Sequence, residues 1–552
     1  MAIHTVNIDA LIKREDFEIE DIQQSPSISG GNFKLSELEA GSIILQVLRK
    51  PDFQRETKNW TPEKIAELIR GFVDGDLIPA VIMWRSQKSG NIFVVDGAHR
   101  LSAFIAWIHN DYGDGANSKS FFEMISPEQI KAADATRELI RRTVGDYQTL
   151  KQIAQNQSAF TGDQVIRAKN AGFLPIEVQW VKGDASKAEA SFFTINQSAT
   201  EIHPTELRII KARKKPNAIA ARAIMRAGTG HRYWSDFSSE TQKEIESIAR
   251  EIYDMLFDPS LQSPIKTLDL PVAGRGYSAD SLSLVVEFIN VANRIKTEMW
   301  LGESTKRKRR NMKVKERLDM LPDDEDGSVT ISYLKTVQKI ASRISGVAPR
   351  SLGLHPAVYF YSATGRYQPS AFLAMVGLIQ EMDVTNKFIE FTEKRQRFED
   401  FLVKYKHFIN QIVKTYGSGT RSLEPITTMY RLILKGVGES KTDLEIATEL
   451  QADEKLKFLK PTGSEEQMQP GDDFSSHAKS AAFLTKAMTD ALRCDICGAR
   501  VHVKAITFDH KIRKQDGGTG HSDNAQITHP FCNSGFKESK HARSLTLSTS
   551  SA

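Results

Sequence analysis

The 552-residue sequence has little cysteine, three residues in all. Its opening stretch, MAIHTVNIDALIKREDFEIED, interleaves charged and apolar residues and contains no apolar leader. Disulfides are therefore not expected, and the setting is read as cytoplasmic. No uninterrupted apolar run approaches the roughly twenty residues that cross a bilayer, so no membrane partner is expected. No GxxxxGKS or GxxxxGKT string occurs, which excludes a P-loop nucleotide site, and no internal repeat is visible. Charge of one sign is also scarce: 74 Lys/Arg against 69 Asp/Glu leave a net of +5. With 40% hydrophobic and 26% charged residues the composition is that of a soluble globular protein, and the length is too great for one ordinary domain.

What chemistry the sequence does hold is concentrated near its end. Cys494-Asp-Ile-Cys497 has the spacing that lets two thiolates reach one tetrahedral ion, and His529-Pro-Phe-Cys532 repeats the gap with an imidazole in first place. These four are the expected ligands of a structural zinc, which would stabilise a segment too small for a large core. The charge follows the cysteines. Residues 478–545 hold eleven Lys/Arg against six Asp/Glu, so the whole excess of +5 lies there, and such a surface suits a polyanion. Between the two half-sites stand Phe508-Asp509-His510, Gly517-Gly518 and Asn524, and Asn533 follows the last cysteine. His510 carries an imidazole, the side chain best suited to take a proton from water at neutral pH. Asp509, its neighbour, points to the opposite side if both lie on a strand.

Two zinc half-sites bracketing Asp-His and Asn resemble the HNH endonuclease family, whose fold is a ββα-metal unit. The resemblance implies phosphodiester hydrolysis with His510 as catalytic base and Asp509 and Asn533 as ligands of a catalytic Mg2+ or Mn2+. Asn524 matches the family's central Asn; it is grouped with the catalytic set and more often braces the loop than touches metal. Lys511, Arg513, Lys514, Lys537 and Lys540 are candidate phosphate contacts.

Nearer the start, Thr61-Pro62 opens a helix with Ile65, Leu68, Ile69 and Phe72 on one face. Two short apolar strands, 80–84 and 91–95, follow; the second runs into Asp96-Gly97-Ala98-His99-Arg100 and a new helix. Asp96, Gly97 and Arg100 thus stand at a helix N-terminus, where free amides favour anions and a guanidinium can clasp a phosphate. A salt-bridged surface arginine is the equally simple reading. The order of Pro51-Asp52-Phe53-Gln54-Arg55, Trp60, Ile78-Pro79 and residues 96–100, then residues 192–197 and 205–208, resembles the ParB/sulfiredoxin-like domain of GmrS-type restriction subunits. The resemblance covers residues 35–215 and implies a nucleoside triphosphate (NTP) held by Gln54, Arg55, Asp96, Gly97, His99 and Arg100. Ala98 and His99 stand where that family carries two glutamines, so it implies binding more firmly than hydrolysis.

Residues 216–460 read as mostly helical, with 3.6-residue periodicity over 242–257, 279–299, 330–345, 369–382 and 387–416. Phe388, Phe391, Phe398, Phe401, Tyr405 and Phe408 are expected in the core. Lys306-Arg307-Lys308-Arg309-Arg310, followed by Asp323-Asp324-Glu325-Asp326, is either a DNA-backbone contact or a solvated loop. Residues 1–34 read as a lead-in, 461–477 as a linker, 478–545 as the nuclease domain and 546–552 as a disordered tail. The expected class is multidomain α+β: a ParB-like α/β domain, a helical middle and a C-terminal ββα-metal domain with zinc knuckles.

Together these resemblances imply a DNA endonuclease, a modification-dependent restriction enzyme for phage defence. Its cutting would be regulated by an NTP-binding, DNA-sensing N-terminal domain that could itself hydrolyse NTP. The implied partners are DNA, modified phage DNA above all, an NTP, and a second copy of the chain for double-strand cleavage. Two alternatives stay open: a non-catalytic ParB-like DNA-binding regulator, and an RNA-directed toxic nuclease.

Overall fold

Thr61 caps helix α1 (Pro62–Asp74) with its hydroxyl on the amide of Lys64, Pro62 fills the first turn, and Gly75 ends the helix in the left-handed region at φ +87°. Ile65, Ile69, Phe72 and Val73 are buried on one side of it, as their spacing dictates. The computed structural model describes residues 5–15, 30–51, 57, 60–87, 89–122, 125–198, 209, 212–276, 279–295, 321–462 and 473–539. The chain divides into two compact units, one of residues 1–214 with 229–233, the other of residues 215–228 with 234–552. Among the described residues, no helix is long and apolar enough to cross a membrane.

The first unit is built on a mixed five-stranded sheet of β1 (Lys13–Glu15), β2 (Leu48–Pro51), β3 (Val81–Arg85), β4 (Ile92–Asp96) and β5 (Val178–Trp180), in the order β1-β2-β4-β3-β5. The β3–β4 pair is antiparallel; β1–β2, β2–β4 and β3–β5 are parallel. Helix α2 (Ala98–His109) starts directly after β4 and is apolar nearly all round, with Leu101, Ala103, Phe104 and Ala106 fully buried. The lead-in expected over residues 1–34 contributes to this domain: Val6, Ile8, Leu11 and Ile12 are buried in its core, and β1 extends its sheet. Asp9 explains why so polar a stretch is held there. Its buried carboxylate takes Arg14 Nη2 at 2.8 Å, Lys50 Nζ at 2.7 Å and the amide of Thr57 at 2.9 Å, so the charges are sealed in as hydrogen-bonded pairs.

The second unit contains both the helical region and the C-terminal segment. Its helices include α3 (Ser239–Phe257), α4 (Ala279–Ala292), α5 (Ser328–Ile344), α6 (Pro369–Thr385), α7 (Phe388–Lys404) and α8 (Leu423–Gly438). Phe388, Phe391, Phe398, Phe401, Tyr405 and Phe408 are all buried. The periodic stretch 387–416 is two helices, α7 and another at His407–Tyr416, where one was expected. Lys406, at the break, turns inward and donates to the carbonyls of Ala357 and Tyr361, bonds that a straight helix would forgo. Asp324 of the acidic run is buried and caps α5 through the amide of Thr330 at 2.7 Å. The basic run 306–310, most of the linker (463–472) and the tail lie outside the described residues. Helix α9 (Ser476–Thr489) then leads into the zinc-spaced segment.

Candidate active site

Two short strands carry the Asp-His pair. Strand β6 (Thr507–His510) pairs antiparallel with β7 (Ala525–Thr528), Asp509 standing opposite Gln526 and Thr507 opposite Thr528. A helical turn follows from Pro530, with a π-turn over Cys532–Phe536, so the order is β, β, helix. Alternation along β6 puts Asp509 on one face and Phe508 and His510 on the other. Asp509 is 11% exposed; its Oδ2 accepts from Lys537 Nζ at 2.6 Å and from Gln526 Nε2 at 2.9 Å. Burial works to raise its pKa, but the hydrogen bonds from Lys537, Gln526 and the backbone outweigh it, and the carboxyl is held below its ordinary value.

Asn533 lies against the same strand, its Nδ2 donating to the carbonyl of Phe508 at 3.3 Å. The amide oxygen of Asn533 and the carboxylate of Asp509 are hard donors, the kind that Mg2+ takes. Asn524 is directed elsewhere. Its Oδ1 accepts from the amide of Ile512 at 2.7 Å, and its Nδ2 donates to the carbonyls of Ile512 at 3.1 Å and Thr519 at 2.8 Å, closing the loop between the strands. Of the candidate phosphate contacts, Lys511 bonds the carbonyl of Asp523 at 3.0 Å, Arg513 pairs with Asp516 at 3.1 Å, and Lys537 grips Asp509 and the carbonyl of His510. Lys540 lies outside the described residues. The part played by Lys537 is absent from the sequence reading, although its place one helical turn after Asn533 is a signal that could have found it.

Behind the hairpin, the ligand atoms of Cys494, Cys497, His529 and Cys532 all lie within 4.8 Å of one another. His529 Nδ1 is 3.4 Å from Cys497 Sγ, and its Nε2 is 3.1 Å from the carbonyl of Arg500. An Nε2–H donating to that carbonyl leaves Nδ1 unprotonated and turned to the sulfurs, the arrangement of a ligating histidine. Three sulfurs and one imidazole within this reach fit a closed tetrahedral zinc site.

The segment rests on the helical region. Arg395 and Glu399 of α7 form a fully buried pair, Nε to Oε1 at 2.8 Å, and Glu399 Oε2 accepts from the amide of Arg500 at 2.8 Å. The guanidinium of Arg500 meets Asp400 at 2.7 Å. The amide of Phe531 donates to the carbonyl of Ser351 at 2.9 Å. Local spacing does not single out Ser351, Arg395, Glu399 or Asp400, since each lies more than ninety residues before the first cysteine.

In the first unit the Asp96–Arg100 turn is closed on itself. Arg100 Nη2 bonds Asp96 Oδ2 at 2.9 Å and the carbonyl of Ala80 at 3.1 Å. Gly97, at φ +91°, holds a backbone conformation that L side chains rarely adopt, and a Cβ there would also lie 3.1 Å from Val81 Cγ2. His99 is buried and stacks on Trp60, ring centroids 5.6 Å apart. Gln54 and Arg55 lie outside the described residues.

Comparison with known families agrees with both ends of this description. The GmrSD restriction endonuclease N-terminal domain matches residues 35–213, and the HNH endonuclease family matches residues 494–538. No curated protein and no solved structure gives a match. HNH nucleases use divalent metals, and the Cys/His cluster inside the second match is of a kind that binds zinc. The chain thus joins a GmrSD-type N-terminal domain to a C-terminal HNH endonuclease domain, the architecture of a GmrSD-type restriction enzyme.

Proposed function

We propose that this chain is a modification-dependent restriction endonuclease that defends its host against phage DNA. His510 is the general base, and Asp509 and Asn533 hold Mg2+ or Mn2+. The observation that carries this reading is the hairpin at Asp509–His510 with Asn533 bonded to the same strand, backed by the four-ligand cluster. His510 takes a proton from the attacking water. Asp509 stays ionised through Lys537 and Gln526 and, with the Asn533 oxygen, supplies the hard donors that a divalent cation needs. A cation held there stabilises charge on the phosphate oxygens and the leaving alkoxide. Asn524 keeps the loop closed so that Lys511 and Arg513 stay beside the strand end.

The N-terminal domain, in this proposal, binds an NTP at the Asp96–Arg100 turn and senses the mark on DNA. Support comes from the amides that open α2 and from Arg100 lying over a side-chain-free Gly97. A second copy of the chain would provide the other cut of a double-strand break.

The test is plasmid cleavage with Mg2+ on modified and plain DNA, with and without each NTP, using wild type and Arg100→Ala. The expected result is cleavage preferring modified DNA, altered by an NTP in wild type and unaltered in the variant. Cleavage blind to nucleotide and to Arg100 would leave the nuclease and remove the NTP role. Cleavage of structured RNA alone, or binding of DNA without any cleavage, would overturn the restriction reading.

A further inference from the structure

The two halves of the zinc cluster sit against two segments of the helical region, α7 and the loop of residues 349–353. Gly498, directly after Cys497, has φ +71°, and a Cβ on it would lie 2.1 Å from Gln396 Oε1 of α7. Gly353 has φ +56°, and a Cβ there would lie 3.0 Å from His529 Cδ2 and 2.6 Å from the Cβ of Ala505. The loop that carries Gly353 is in turn held by Arg395, which donates to the carbonyls of Leu352 and Gly353, the latter at 3.0 Å. It receives the amide of Phe531 and the hydroxyl of Ser534 through the carbonyls of Ser351 and Pro349.

A continuous set of bonds therefore runs from α7 to the cluster. Arg395 bonds Glu399, Glu399 bonds the amide of Arg500, and the carbonyl of Arg500 bonds His529 Nε2, whose other nitrogen faces the sulfurs. Tyr359 completes the acceptor capacity of Glu399 Oε1 at 3.0 Å. Arg395 and Glu399 are 1% and 0% exposed, so water does not substitute for either.

We propose that Arg395 and Glu399 are positioning residues for the zinc site, the outer shell of a centre whose ligands all lie more than ninety residues further along the chain. The helical region thereby sets how tightly the nuclease segment holds its metal, and a change in α7 or the 349–353 loop is felt at His529. Neither residue touches the metal or the Asp509–His510 strand. The inference rests on zinc binding at the cluster and is independent of whether the chain cuts DNA.

Zinc release from the purified full-length protein to a competing chelator tests it, alongside the visible spectrum of the Co2+-substituted protein. Variants are Glu399→Gln, Arg395→Lys and, as a control on the same helix, Thr392→Val. Thr392 is buried, and its hydroxyl bonds the carbonyl of Phe388 within α7. At temperatures where circular dichroism shows each variant folded, Glu399→Gln should lose zinc about 10–100-fold faster than wild type, with an altered Co2+ spectrum. Arg395→Lys should fall between the two. Release at the wild-type rate, or no faster than Thr392→Val, overturns the proposal. Hydrogen exchange on wild type gives a reading that needs no variant, because coupling is reciprocal. Stripping zinc should speed exchange at Arg500 and at the amides of 352–354, and unchanged protection there also overturns it. A wild-type protein that holds no zinc removes both this inference and the zinc assignment.

Discussion

Asn524 shows how one side chain can matter without touching the chemistry. Its amide satisfies the N–H and C=O of Ile512 and the C=O of Thr519. Asn524→Ala should cost about 1–3 kcal/mol, because partly buried backbone groups lose their partners; chemical denaturation followed at the C-terminal segment measures it. The sequence is most legible at this end of the chain: the spacing of Cys494, Cys497, His529 and Cys532 marks the cluster, and the resemblance to the HNH family singles out Asp509, His510, Asn524 and Asn533. It is least legible for lysine and arginine. Lys537, a candidate phosphate contact in the sequence, holds Asp509, 28 residues away. Lys537→Met should leave Asp509 without its strongest partner and raise the Mg2+ concentration needed for half-maximal cleavage, which a metal titration reads directly.

At the scale of elements, the contact between the helical region and the C-terminal segment carries its own pH dependence. His355, capping the short helix Pro356–Tyr359, and His502 are both buried, with ring centroids 5.6 Å apart. Burial, with Lys504 nearby, lowers His502 to about 4. Burial first, then His502, Lys406, Arg500 and Arg395, takes His355 well below its usual value. Asp269 is the acid facing His502, at 3.4 Å. A histidine that is neutral when folded but protonated when unfolded stabilises the fold above its unfolded pKa, and loses that contribution as pH falls. Thermal stability should therefore decline from about pH 6.5 to about pH 4, and His502→Gln should flatten that decline. Equal slopes in the two proteins would contradict it. The helices themselves are legible from periodicity, because one apolar face per helix meets the core. The break at Tyr405–Lys406 is not, since the carbonyls that draw Lys406 inward belong to Ala357 and Tyr361, far back in the chain.

For the whole molecule, the sequence points to an N-terminal α/β domain, a helical middle and a C-terminal nuclease segment. Composition and motif change along the chain, and those changes are visible without a structure. The way the last two share one compact unit is not visible. It depends on Glu399, held by Arg395, and on Asp400 meeting Arg500, pairs about a hundred residues apart with nothing in their local spacing to mark them. Because the excess of basic residues lies in residues 478–545, DNA binding should weaken steeply with salt. Replacing a basic residue there that pairs with a phosphate should flatten the logarithmic salt slope by about one unit. In the proposed function His510 performs the proton transfer inside a zinc-held hairpin. Cleavage of supercoiled plasmid by wild type and His510→Ala, each checked for zinc content, tests it most directly. A loss of about 10²–10⁴-fold in rate with zinc and fold retained is the predicted result. Undiminished cleavage by a folded, zinc-loaded His510→Ala protein would contradict it.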